Sequence, residues 1–253
     1  MLARQTAILT GVMVRKGLRE EVLRANLDLV TAGLVTLAFG NASGVDREAG
    51  VVLIKPSGVP YERLRSEDLV TVSLADGRVV EGRYRPSSDT PTHLRLYERF
   101  GDIGGVVHTH SAFATAWAQA GRDIPCLGTT HADHFRGLVP VSRALSQTEI
   151  EGAYEAETGA VIVETVEQRV GEALMMPAVL VRSHGPFTWG RDAADAVANA
   201  VALEAVAAMA LRTFALEPGA PPVSDALLGR HFDRKHGPGA YYGQARDAQR
   251  ASD

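Results

Sequence analysis

A single α/β domain is the fold class that the sequence predicts. Short β-branched runs alternate with stretches of helical apolar spacing, and no repeat or linker-like segment divides the chain. Its 253 residues are enough to bury one sizeable core. The domain is read as 1–253, with about 1–12 an N-terminal extension and about 246–253 a small, polar, flexible tail.

Each element has its own signal. Residues 18–32 carry leucine and valine at helical spacing and stop at Gly33, a residue suited to the position after a helix. A strand is predicted at 34–39, broken by Gly40-Asn41-Ala42-Ser43, and another at 51–54, ending in Lys55-Pro56-Ser57-Gly58. Runs at 69–74 and 78–80 flank Ala75-Asp76-Gly77, a hairpin signal. The polar segment Pro86-Ser87-Ser88-Asp89-Thr90-Pro91-Thr92-His93 leads into a short helix ending at Phe100. A strand closing on Val106-Val107-His108-Thr109-His110 follows, then helices near 111–119 and 147–157 and an apolar run at 160–166 that fits either state. A strand precedes Ser183-His184-Gly185, an alanine-rich helix starts near Asp192, and a last helical piece covers 224–235.

Composition narrows the function classes. A net charge of −4 with no block of Lys and Arg gives no electrostatic case for nucleic acid. The lone Cys126 excludes an intrachain disulfide and fits a reducing, cytoplasmic setting, as a small buried hydrophobe rather than a nucleophile. The N-terminus lacks the basic, apolar and cleavable order of a signal peptide. The apolar stretch 193–211 carries Asp195, Asn199 and Glu204, which argues for a core helix and against a membrane span or a membrane partner.

Three histidines carry the strongest chemical signal. Residues two apart on a strand share a face, so His108 and His110 project side by side, and His184 can join them if the two strands lie close. A His-x-His pair with a distant third histidine leaves a coordination position open on a catalytic metal; two buried, hydrogen-bonded histidines are the other reading. The turns at Gly40-Asn41-Ala42-Ser43, Lys55-Pro56-Ser57-Gly58 and Pro86-Ser87-Ser88-Asp89 expose amides and hydroxyls that can cradle a phosphate, with Lys55 adding a positive charge. None matches a nucleotide-binding fingerprint. Asp89 fits either a metal carboxylate or a helix cap, and Asp133 either an acid/base group or a loop hydrogen bond. The tyrosines of the glycine-rich segment around Tyr241 and Tyr242 fit either a surface that meets a partner or packing.

Taken together with Gly128-Thr129-Thr130-His131-Ala132-Asp133, Ser183-His184-Gly185-Pro186-Phe187 and Tyr241-Tyr242-Gly243-Gln244, these motifs resemble the L-ribulose-5-phosphate 4-epimerase family. That family belongs to the class II aldolase/epimerase superfamily, which also holds L-fuculose-1-phosphate aldolase. The match runs in order from about Leu23 to Gln244, with His134 standing where a tyrosine is expected. The resemblance implies a central, mainly antiparallel β-sheet with helices on both sides. It implies one divalent metal per subunit, usually Zn2+, held by Asp89, His108, His110 and His184. It implies phosphate and substrate contacts from Gly40, Asn41, Ser57, Gly58, Ser87 and Ser88, and acid/base roles for Asp133 and Tyr242. A fourfold homotetramer with sites between neighbouring subunits is implied as well.

The implied activity is metal-dependent interconversion of L-ribulose 5-phosphate and D-xylulose 5-phosphate by cleavage and re-formation of the C3–C4 bond. L-ribulose 5-phosphate arises in arabinose catabolism, although related epimerases serve other routes. A sugar-phosphate aldolase of the fuculose type is the alternative, and a non-catalytic adducin-like binding module a more distant one. Asp89 favours the epimerase, because aldolases of this kind carry glutamate after the paired serines. From its place near the C-terminus, Tyr242 is expected to act across a subunit boundary, with Asp133 and Tyr242 of any one site coming from different subunits.

Overall fold

The computed structural model describes residues 14–242. Seven strands form one sheet: β1 (Asn41–Asp46), β2 (Val51–Ile54), β3 (Val70–Ser73), β4 (Val79–Glu81), β5 (Gly105–His108), β6 (Ala178–Val181) and β7 (Gly185–Gly190). Their spatial order is β4-β3-β2-β1-β5-β7-β6, and every neighbouring pair is antiparallel. The helices are α1 (Leu18–Thr31), α2 (Thr90–Arg99), α3 (Ala112–Ala120), α4 (Thr129–Ala132), α5 (Gln147–Glu151), α6 (Tyr154–Arg169), α7 (Ala193–Leu216) and α8 (Asp225–His236).

The sheet is covered on both faces. Val45, Val52, Val72, Val106, Val179 and Trp189 pack with Leu96 and Tyr97 of α2 and Ile162 and Val166 of α6. On the opposite face Ala42 and Val107 pack with Ala25 and Leu29 of α1 and Ala193, Ala196 and Ala200 of α7. Burial on two sides explains why the strands read as apolar runs rather than as alternating ones. α7 is long and apolar enough to cross a membrane by length and composition, yet half of its most apolar window is buried inside the chain.

Antiparallel pairing also decides where the chemistry goes. β1 opens at Asn41, opposite His108 at the end of β5, while Ser43 pairs with Ile54 at the end of β2. β7 opens at Gly185, and His108 pairs with Phe187. One end of the sheet therefore gathers the starts of β1 and β7 and the ends of β2, β5 and β6.

Several sequence expectations need correction. Residues 34–39 are not a strand: Leu37 has φ of 55°, and Leu37 and Phe39 are exposed. The strand is the next segment, Asn41–Asp46, built from residues of modest β preference. Small residues are needed there because α1 lies so close that a Cβ on Gly44 would come within 2.8 Å of Val22 Cγ2. β7 was not foreseen, since Pro186 donates no ladder hydrogen bond and normally argues against a central strand. The ambiguous run at 160–166 is helical, inside α6. The helix expected at 147–157 divides at Gly152-Ala153 into α5 and α6. The N-terminal extension and the tail from 246 lie outside the described residues.

Candidate active site

His108 closes β5, His110 follows two residues later in irregular chain, and His184 sits in the turn joining β6 to β7. That turn is tight: Ser183 has φ of 62°, and Val181 pairs with Gly185 across it. The ring centroids lie 4.9 Å apart for His108–His110, 4.7 Å for His108–His184 and 5.1 Å for His110–His184. One nitrogen from each ring falls within 4.8 Å of the other two.

The protonation pattern suits a cation. His108 Nδ1 lies 3.0 Å from the Pro186 carbonyl, an oxygen that can only accept, so Nδ1 carries the proton of the neutral ring. The Nε2 lone pair is then directed at His110 Nε2, 3.0 Å away. Tetrahedral bonds of about 2.0–2.1 Å would set two ligand nitrogens roughly 3.4 Å apart, a small adjustment from this geometry. Burial pushes His108 down to about 3, which keeps the imidazole neutral, as a ligand must be. Phe187 stacks on its ring at 4.2 Å and fixes its plane. These donors can hold a divalent cation.

Asp89 stands beside the three rings. It occupies the cap position of α2, but its side chain accepts no bond from that helix's amides. Its Oδ2 accepts from Asn41 Nδ2 at 2.6 Å and from Ser87 Oγ at 3.5 Å. Burial works against its charge, yet the His108 and His93 imidazoles and the Asn41 amide hold the carboxyl below its ordinary value. Beneath it, His93, Ser43 and Tyr97 form a buried chain, with Ser43 Oγ 2.7 Å from His93 Nδ1 and 2.8 Å from Tyr97 Oη.

A cavity of about 320 Å³ opens over these groups. Its walls include Gly40, Asn41, Ser57, Gly58, Ser87, Ser88 and Asp89 together with His108, His110 and His184. Gly40 is required there: its φ is 76°, and a Cβ would meet the His108 carbonyl oxygen at 2.7 Å. Lys55 also lines the cavity although its side chain is buried. Its Nζ lies 4.6 Å from the centre of the Tyr61 ring and 3.5 Å from the Ala38 and Pro56 carbonyls. No carboxylate offsets its charge among the described residues, and burial pulls its pKa down to about 8. A buried cation with only carbonyls and an aromatic face for company suits an incoming anion. The Asn41 Oδ1, buried without a hydrogen-bond partner, adds an unused acceptor to the same wall.

The expected acid/base pair lies elsewhere. Asp133 follows α4 and is gripped by α8: Arg234 Nη2 and Nε donate to its two oxygens at 2.7 and 3.0 Å, and His231 Nδ1 lies 3.0 Å from Oδ1. Burial raises its pKa, but the Arg234 and His231 bonds outweigh that and hold the carboxyl low. The Arg234 guanidinium also covers the Tyr242 ring at 4.7 Å, and the Arg234 carbonyl accepts the Tyr242 amide at 3.1 Å. Tyr242 is 56% exposed, and neither residue lines the histidine cavity. One arginine thus holds both groups together on one chain. His134 sits in the same patch, 3.2 Å from Lys235 Nζ; burial, aided by that charge, pushes it down to about 4.

Tyr154 and Glu155, at the start of α6, line the cavity and were not anticipated. Only the packing of α6 on α2 brings them there, and no local pattern in the chain announces it.

Against known proteins, residues 20–211 match the family described as Class II Aldolase and Adducin N-terminal domain. The chain is 58% identical over 227 residues, 90% of its length, to a curated L-ribulose-5-phosphate 4-epimerase UlaF of Salmonella paratyphi A, 98% of which is covered. A solved L-fuculose 1-phosphate aldolase superposes with a TM-score of 0.74 over 88% of this chain and 98% of its own, at 23% identity. The L-fuculose-1-phosphate aldolase of Thermus thermophilus gives a TM-score of 0.65 at 26% identity, covering 83% of this chain and all of that one.

Proposed function

This chain belongs to the class II aldolase and adducin family, and from that premise we propose that it is an L-ribulose-5-phosphate 4-epimerase. It interconverts L-ribulose 5-phosphate and D-xylulose 5-phosphate. The observation that carries the proposal is 58% identity along almost the whole of a curated epimerase. The cavity supports it chemically, since three convergent imidazoles, a carboxylate, Lys55 and two serine turns line it together.

Direct inversion at C4 is unfavourable, because nothing adjacent stabilises a carbanion there. Breaking C3–C4 instead leaves the electron pair on C3, conjugated with the C2 carbonyl. His108, His110 and His184, with Asp89 beside them, would hold a divalent cation, most simply Zn2+, which when bound would supply Lewis acidity for that charge. Lys55, Ser57, Gly58, Ser87 and Ser88 anchor the phosphate of the departing glycolaldehyde phosphate, so the fragment turns its aldehyde without escaping. The C4 hydroxyl proton leaves to a base on one face, and after re-addition an acid on the other face returns one. Asp133 and Tyr242 fill these two roles.

Because those residues lie off their own cavity, a neighbouring subunit presents them as a pair in a ring-shaped tetramer. Arabinose catabolism is one route that supplies this substrate, and a reducing cytoplasm suits the single buried thiol.

Incubating zinc-loaded protein with L-ribulose 5-phosphate should yield an equilibrium with D-xylulose 5-phosphate, read by 13C NMR, with free fragments at trace level. Dihydroxyacetone and glycolaldehyde phosphate as main products would make it an aldolase. No turnover with metal bound would favour a binding module.

A further inference from the structure

We infer that Tyr154 is a positioning residue for the third imidazole, accepting the Nδ1 proton of His184 and so presenting Nε2 of that ring to the cation. This rests on the cation-holding role proposed for the three histidines and concerns a residue outside that set.

The two imidazoles deepest in the cluster differ in what holds them. His108 ends a strand, stacks on Phe187 and leans on the fixed Pro186 carbonyl. His184 lies in a three-residue turn whose other members, Arg182 and Ser183, are exposed. Among the described residues its Nδ1 has one hydrogen-bond partner, the Tyr154 hydroxyl at 3.4 Å. The phenol ring lies 29° from parallel with the imidazole, with centroids 6.2 Å apart, so it also limits rotation of the ring. A ligating histidine needs such an outer partner to fix its tautomer and orientation.

The helix pair beneath makes this contact firm. Tyr154 is the first residue of α6, and its carbonyl accepts from Thr158 Oγ1 at 2.9 Å. Thr92 of α2 donates from Oγ1 to the Glu155 carbonyl at 2.5 Å, tying the start of α6 to α2. Gly159 permits the close approach, since a Cβ there would lie 2.7 Å from Arg95 Cβ. α2 begins directly after Asp89. The same rigid pair of helices thus sets the carboxylate and, through Tyr154, the His184 ring.

The test is zinc affinity, measured by competition with a fluorescent chelator at fixed pH on the full chain. Tyr154→Phe should weaken zinc binding about 10- to 100-fold, the range for losing an outer-shell partner. Its metal-free melting temperature should match the wild type, since the ring stays and only the hydroxyl is lost. Tyr154→Gln, which keeps an acceptor, should recover part of the affinity. In the His184→Ala background, adding Tyr154→Phe should weaken binding no further. Tyr154→Phe within twofold of the wild type, or a double variant as weak as the product of the singles, overturns this inference alone. A wild type that binds no zinc overturns the cation reading and this inference with it.

Discussion

The histidine end of the sheet and the α4–α8 patch are built by different means. In the first, backbone pairing does the positioning: β1 against β5 sets Asn41 beside His108, and β7 against β5 brings the Pro186 carbonyl to the His108 ring. In the second, one arginine on a helix near the C-terminus grips Asp133 and covers Tyr242, which remains more than half exposed. Cation binding needs ligands held within a few tenths of an ångström, and a buried sheet end provides that. Asp133 and Tyr242 instead sit in a partly exposed helical patch away from the histidine cavity. The chain therefore gathers its histidines and Asp89 in one cavity and holds Asp133 and Tyr242 together outside it.

Breaking the cradle should have the largest effect. His108→Ala should lower zinc occupancy, measured by plasma emission spectrometry, and reduce kcat by at least about 1,000-fold, since loss of the cation removes several kcal/mol of charge stabilisation. Breaking the patch should separate from this. Arg234→Gln should cut kcat about 100-fold, the lower end of acid/base contributions, while zinc content stays unchanged. A fall in zinc content with this variant would mean that the two regions are not independent.

Lys55→Met sharpens the comparison within the cradle. A charge-assisted contact to phosphate contributes about 1.5–3 kcal/mol, so KM should rise about 10- to 150-fold with zinc content intact. Unchanged KM would remove Lys55 from the phosphate wall. Asp89→Glu should slow epimerisation less than loss of a histidine, by displacing a carboxylate that Asn41 now fixes; an undiminished rate would detach Asp89 from the site.

The smallest effect is on stability. Burial pushes His93, and likewise His131, down to about 4, against an unfolded value near 6.5. Between those values the unfolded chain binds protons that the folded chain refuses. Stability is therefore full above pH 6.5 and falls as pH drops towards 4, by roughly 3 kcal/mol for each group at the acid end. Urea unfolding of the metal-free protein at pH 7 and pH 4.5 reads this loss, and equal midpoints would contradict it.

Much of the cradle was legible in the chain. His108 and His110 declare themselves by spacing at a strand end, and the Ser57-Gly58 and Ser87-Ser88 turns by composition. β1 and β7 were illegible because tertiary demands overrode local preference: Gly44 makes room for α1, and Pro186 sits where a carbonyl is wanted but an amide is not. Tyr154 was hidden because its neighbour His184 is thirty residues away and meets it only through the α2–α6 crossing. Asp133 and Tyr242 were visible as residues, but not as a pair, since their link is the side chain of Arg234.

The division of labour between subunits is tested most directly by mixing two inactive variants. His108→Ala spoils the cradle and Tyr242→Phe spoils the patch. Denatured together at a one-to-one ratio and refolded with zinc, they form rings of random composition. If each cradle is completed by its neighbour's patch, about a quarter of sites join an intact cradle to an intact patch, and activity should return to about that fraction of wild type. The same mixture made from Asp133→Asn and Tyr242→Phe should stay inactive, because one chain delivers both groups. Activity near zero in the first mixture, with mixed rings verified by mass spectrometry, would contradict the account and return the acid/base groups to the chain that holds the cation.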